Sequence, residues 1–355
     1  MKLPTFVKKL KEKWGQKWWD WLQALEKKNH HLCWISISQN PNLTWRIIQN
    51  NLDKPWRWNI LCAHPNLSLD IIEKNKDKLC DNFYLSRNIN LTLEYVQSHP
   101  EINWSWSSLS VNEGITMSDI LTHPDLPWEW NNMSFHPHLT LEVLESHLEE
   151  NWNWDYLSQH RNMTLEFILQ HMDFPWNWNC VSKNPNVTLE MMLSNPELPW
   201  CASGRSMNPN ITIEIISQHR EMKWPIFWLS QNPNVKPIQI QINKSLSWSY
   251  LAYSRNLNLT VDFISQNINQ AFDWGAVSQN PNLRMSDVSS VRWIPWRIDK
   301  LSSNTWQNEK NEFFLREIRE FISARCIQRW WLEIKYDPHT RLGQQHMNDL
   351  YEENF

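Results

Sequence analysis

From residue 44 to residue 284 apolar and polar positions recur at a fixed spacing of 24, without insertion or deletion. The anchor of each copy is Thr44, Ser68, Thr92, Thr116, Thr140, Thr164, Thr188, Thr212, Lys236, Thr260 or Arg284. An aliphatic residue follows directly in most copies, and another stands four places after the anchor, from Ile48 and Ile72 through Ile168 and Met192 to Val288. That i, i+3 stripe predicts a short helix buried on one side. The anchor Thr is its N-cap, and the acid that often comes two places later (Glu142, Glu166, Glu190, Glu214) meets the positive end of the helix dipole.

Seven places after the anchor only Asn or His occurs in the first ten copies, as in Asn51, His99, His147 and Asn195. Both tolerate a left-handed backbone, so the column reads as a helix stop. A second Asn/His column lies four places before each anchor, as in Asn40, His64, Asn88 and His136, and predicts a second helix end per copy. The second helix is expected to open on an acid and a first-turn Pro, as in Asp173-Phe174-Pro175-Trp176. Tryptophan then recurs 12 places after the anchor (Trp56, Trp104, Trp128, Trp152, Trp176) and again at 14 (Trp58, Trp106, Trp130, Trp154, Trp178). Two residues apart on a helix is about 200°, so the pair cannot share a face. The later Trp aligns with the aliphatic column Leu61, Leu109, Leu157, Val181 and is expected in the core of its own copy, with the earlier one reaching toward the neighbour. The Ser that follows (Ser86, Ser110, Ser158, Ser182) permits close helix approach. An Asn-Pro-Asn turn, as at residues 184–186, closes the copy.

Two helices of about two turns are too short to stand alone. A strict repeat of this kind buries its apolar side only by stacking copy on copy. The expected fold is therefore all-α, an α-solenoid of eleven 24-residue two-helix repeats, elongated, with helical N- and C-terminal caps. The expected segments are a basic amphipathic cap at 1–31, the array at 32–303 and a C-terminal helical segment at 304–355, with Trp34 and Ile37 as the remnant of a preceding half-copy. The 26 tryptophans against five glycines fit this grammar. One buried Trp removes roughly 200 Å² from water, on the order of 5 kcal/mol as an upper estimate.

The repeat also absorbs residues that resemble chemistry. His99, His123, His147, His171 and His219 occupy one column in which Asn substitutes, and equivalent places in stacked repeats lie roughly 10 Å apart, too far to share one ion. Sequons such as Asn162-Met163-Thr164 arise because a turn Asn precedes a cap Thr. No Gly-rich phosphate loop and no nucleophile elbow occurs, so neither an enzyme nor a cofactor is expected. Six scattered cysteines without a CxxC pair suit reduced thiols. The N-terminal stretch has no long apolar core and is not expected to be a signal peptide. No run approaches the roughly 20 apolar residues of a membrane span.

Charge is uneven although the formal total is only −4. Glu94 to Glu197 holds fifteen acids against Arg161 and Lys183, whereas residues 1–31 hold eight lysines and three acids. An acidic face repels nucleic acid and favours a basic protein partner. The Lys- and Trp-rich residues 2–28 read as a cap, with a membrane-surface helix as the alternative. Near the other end, Cys326-Ile327-Gln328-Arg329 with Trp331 has the look of a degenerate IQ-type calmodulin site, Leu332 standing where such motifs carry a basic residue. Irregular copies are further candidate interaction positions. Copy two has Cys80 and Asn82 in place of both tryptophans, copy seven has Gly204 and Arg205 near its missing second Trp, and copy nine starts on Lys236-Pro237. With Glu142, Glu166, Glu190, Ile327, Gln328 and Trp331 these complete the candidate surface.

Copies of this form, followed by the tail Ala324-Arg325-Cys326-Ile327-Gln328-Arg329-Trp330-Trp331 with Asp337-Pro338 and Arg341-Leu342, resemble the tryptophan-rich repeat proteins encoded by giant nucleocytoplasmic DNA viruses. The resemblance covers nearly all the chain after residue 30 and implies a viral protein of the host cytoplasm or the particle. The expected function is a non-catalytic scaffold for protein–protein interaction. The alternatives are a structural or assembly component of the particle and, if the tryptophans face solvent, binding of single-stranded nucleic acid or glycans.

Overall fold

The computed structural model describes residues 3–28, 30–79, 81–291 and 293–336. Among these every regular element is helical. Two long helices, Leu3–Glu26 and Gln307–Tyr336, flank a series of helices of four to six residues that alternate in two kinds along the repeat. The chain divides into two compact units, residues 15–306 and the terminal segments 1–14 with 307–355, so the boundaries fall inside and beside the long helices.

The first helix of each copy starts where the anchor places it. Thr164 is extended (φ −110°, ψ 156°) and its hydroxyl accepts from Phe167 N, ahead of the helix Leu165–Gln170. Thr44, Thr92, Thr116, Thr140, Thr188, Thr212 and Thr260 cap in the same way. Where the anchor is Lys236 or Arg284, the side chain three places on (Gln239, Asp287) accepts from the anchor's own amide instead.

The helix stop works differently from the expected left-handed turn. His99, His123 and Asn195 have φ between −126° and −130°, and Trp306 is the one described non-glycine residue with positive φ, at 51°. The stop column instead bonds back along its own helix. Asn51 Nδ2 donates to Ile47 O at 2.8 Å, Asn267 Nδ2 to Phe263 O at 2.8 Å, and His147 Nδ1 meets Val143 O at 3.0 Å. A side-chain N–H thus reaches the i−4 carbonyl that the next helical amide would have satisfied. This is a property Asn and His share.

The second helix begins later than expected, at the second Trp: Trp106–Leu109, Trp154–Leu157, Trp178–Lys183. Pro127 and Pro175 therefore lie in the connector ahead of it. The cause is a side-chain bond within the copy. The first Trp is tied back by its indole N–H to the carbonyl of the stop residue (Trp104 to His99 O at 3.0 Å, Trp176 to His171 O at 2.8 Å), which holds the connector out of the helix. Ser105, Asn153, Asn177 and Asp273, one place before the helix, then supply the cap.

Successive copies are joined by buried hydrogen bonds from the other Asn/His column. Asn112 Nδ2 donates to Ser86 O and Asn88 O at 2.9 and 3.0 Å, while its Oδ1 accepts from Gly114 N. His64 does the same with two nitrogens, Nε2 against Asn40 O at 2.9 Å and Nδ1 accepting from Asn66 N. The Ser column adds a rung, for Ser158 Oγ accepts from Asn177 N, 19 residues on. Asn40 makes these bonds to the far end of the array: its Nδ2 donates to Ser302 O and Asn304 O at 3.1 and 3.0 Å. Asn42 Nδ2 reaches Thr305 O, and Cys33 N donates to Ser302 Oγ.

The register of these four bonds is the one found at the other junctions. Elsewhere the partners are 26, 24, 25 and 19 residues apart. Here they are 262, 264, 263 and 269 apart, each the usual value taken from 288, which is twelve periods. The open array with two free ends is therefore not what forms. Within residues 15–306 the ladder returns on itself.

The end of the N-terminal helix takes part in that unit. Gly15 lies so close to the Asn42–Thr44 turn that a Cβ would stand 2.7 Å from Asn42 O. Trp18, Trp19 and Leu22 are buried, so the apolar face a membrane-surface helix would offer is covered by protein. In the other unit the terminal helices pair with each other: Phe6 stacks on Phe321 at 4.0 Å, Trp14 meets Phe313 at 5.5 Å, and Lys13 Nζ is 2.7 Å from Glu317.

Candidate interaction surface

The two tryptophans of each copy interlock across the junction. Trp106 meets Trp128 edge-on at 5.1 Å, Trp130 meets Trp152 at 5.2 Å, Trp154 meets Trp176 at 5.0 Å, and Trp178 meets Trp200 at 5.2 Å. The earlier Trp reaches the neighbouring copy, as expected, and is the more buried of the pair: Trp128, Trp152 and Trp176 are at most 8% exposed. The later Trp, expected in the core of its own copy, is half-buried and lies against the next one. The later ring is left less buried than expected because the indole N–H tie holds the earlier one inward.

Copy seven shows how a missing ring is replaced. Ala202 stands where the second Trp should be, and Arg205 takes the aliphatic position three places on. Its guanidinium lies over Trp224 at 5.0 Å, the spacing of the Trp–Trp pairs, and Nη2 donates to Lys223 O at 2.9 Å. A cation on an indole face supplies part of the attraction that the absent ring would give. Burial lowers the Arg205 pKa from its usual value. Gly204 is needed for a separate reason. Helix Ala202–Met207 packs against Trp178–Lys183 so closely that a Cβ there would stand 2.2 Å from Asn179 O. Gly204 and Arg205 are both buried and so belong to packing, not to an exposed interaction surface.

In copy two Cys80 lies outside the described residues. Asn82 opens the helix Asn82–Leu85, capped by Asp81, and lines a cavity with Glu73 and His99. Tyr95 Oη donates to Glu73, His99 stacks on Tyr95 at 4.1 Å, and Lys76 pairs with Glu73 at 2.9 Å. The Tyr95 hydrogen bond, then Lys76, hold the Glu73 carboxyl below its usual pKa. This polar cluster left no mark on the sequence reading because each member sits in an ordinary repeat column.

Glu142, Glu166 and Glu190 are exposed at the same place on the first helices of three successive copies. Gln328 is exposed in the helix Gln307–Tyr336, which also contains Ile327 and Trp331, whose side chains lie outside the described residues. The histidines of the ladder are kept neutral: burial pushes the pKa of His64, His136 and His160 down, against their hydrogen bonds to carbonyls. Among the described residues no group of His, Cys, Asp or Glu is arranged to hold a metal ion, and no helix is long and apolar enough to cross a membrane.

No family model, no curated protein and no solved structure matches this chain.

Proposed function

We propose that the chain is a non-catalytic scaffold that presents an acidic face to basic protein partners. Its architecture, on this reading, is a closed α-solenoid of twelve two-helix units rather than eleven in an open row. The twelfth combines the end of the N-terminal helix and Trp34–Gln39, held against Ser302–Thr305. The observation that carries the function is the division of labour among polar side chains. The Asn, His and Ser columns are spent on hydrogen bonds within and between copies, as at Asn112, His64 and Ser158. Glu142, Glu166 and Glu190 remain exposed on successive helices and face solvent in register. Such a row repels nucleic acid and steers cationic protein surfaces. The setting that goes with this reading comes from the resemblance alone: a giant-virus protein of the host cytoplasm or the particle.

The test is a triple charge reversal, Glu142→Lys, Glu166→Lys and Glu190→Lys. Affinity capture from infected cells is compared quantitatively between the two chains, after circular dichroism shows equal helicity. Loss of a basic partner at least ten-fold in the variant is the expected result. Recovery of the same partners in the same amounts would remove the acidic face from the account.

A further inference from the structure

The junction after copy two is an aromatic socket without its ring. In the regular copies the second Trp of one unit fills a groove lined by the next. Trp154 lies flat on Phe174 at 4.1 Å with 12° between the planes, and Trp130 lies on His147 at 4.7 Å with 26°. One repeat register over, the corresponding residues of copy three are Ile102 and His99, and the place of the ring is taken by Asn82. A cavity of about 230 Å³ opens there, with Ile72, Leu79, Leu85 and Ile102 on its apolar walls and His99, Glu73, Lys76 and Glu101 beside them. A dry cavity of roughly 150 Å³ holds a benzene ring, so this one has room for a fused bicyclic ring. Grooves also open beside Tyr250 and beside Ile298, two other positions where the second Trp is replaced.

We propose that the groove beside Asn82 binds a planar aromatic ring of indole size, held between the aliphatic walls and His99 in the place that tryptophan fills in the other copies. The recognising features are shape and contact with the aliphatic walls, next to the Glu73–Lys76 pair, with the Asn82 amide at one edge as a hydrogen-bond partner for a ring N–H. The ring can come from a free small molecule or from a tryptophan side chain of a peptide. The proposal does not depend on the acidic face.

The experiment is a titration of the full chain, labelled at Ile and Leu methyls, with indole and separately with N-acetyltryptophanamide, followed by NMR. Saturable upfield ring-current shifts at Ile72, Leu79, Leu85 and Ile102 are expected. They should weaken at least ten-fold in Asn82→Trp, which restores the residue of the regular copies and fills the groove. Binding of indole alone assigns the socket to a small molecule. Equal or tighter binding of the amide assigns it to a peptide side chain. Absence of saturable shifts at these methyls with either probe up to millimolar concentration overturns the proposal, as do shifts unchanged in Asn82→Trp.

Discussion

Asparagine and histidine share one geometric ability: each can donate from one atom and accept at another a short distance away. In the buried column Asn112 and His64 use it identically, donating backward to a carbonyl of the preceding copy and accepting from the amide two places ahead. The column was visible in the sequence, but its role was not, because both partners of each bond depend on how copies stack. The left-handed backbone inferred for the other column failed for the same reason: a side-chain bond to the i−4 carbonyl ends the helix without a change in the sign of φ. A histidine in the buried column can do this work only while neutral. Since the folded pKa of His64, His136 and His160 lies below the unfolded value, the unfolded chain binds more protons as pH falls through about 6.5. Stability from these residues is full above that range and is lost below it, by up to about 1.4 kcal/mol per pH unit for each. Replacing all three by Asn should raise the urea midpoint at pH 5 relative to the parent chain, with a smaller difference at pH 7.5. An equal difference at both pH values would show that the histidines are not held neutral.

At the scale of elements, the caps were the most legible feature because a cap is local: Thr and the amide three places on are enough to build it. The start of the second helix was misread because Pro175 satisfies a first-turn rule, which the indole tie of Trp176 to His171 O overrides by holding the connector against the end of the first helix. Copy seven shows the same limit. From sequence Gly204 and Arg205 read as departures from the pattern. In the structure Gly204 lets two neighbouring helices approach closely, and Arg205 covers the indole left bare by Ala202. Gly204→Ala tests this directly. In an open helix that change gains up to about 1 kcal/mol. Against Asn179 O it should instead cost about 1–3 kcal/mol of overpacking, read as a lower urea midpoint at unchanged slope. An unchanged or higher midpoint would mean that the helices are not in such close contact.

For the array as a whole, the 24-residue period was legible and the closure was not. The closing unit is shared between two stretches far apart in the chain, and neither carries the full phrase. One period before Thr44 the anchor position holds Asp20, inside the helix Leu3–Glu26. After Asn304, Trp306 stands where the second turn Asn is expected. The hydrogen bonds of Cys33, Asn40 and Asn42 to residues 302–305, with Trp21 edge-on to Trp306 at 5.0 Å, join the two stretches into one unit. Closure leaves no free end of the ladder to fray and ties the stability of every junction to that seam. The most direct measurement is the distance across it. Ile35 and Asp299 occupy equivalent places in their copies, as do Asp155 and Asn179, which are one period apart. Nitroxides at Ile35 and Asp299 should show the same dipolar broadening as nitroxides at Asp155 and Asn179, since neighbouring helices stand on the order of 10 Å apart. Broadening in the second pair with none in the first, as for ends separated by on the order of 100 Å in an open row, would contradict closure.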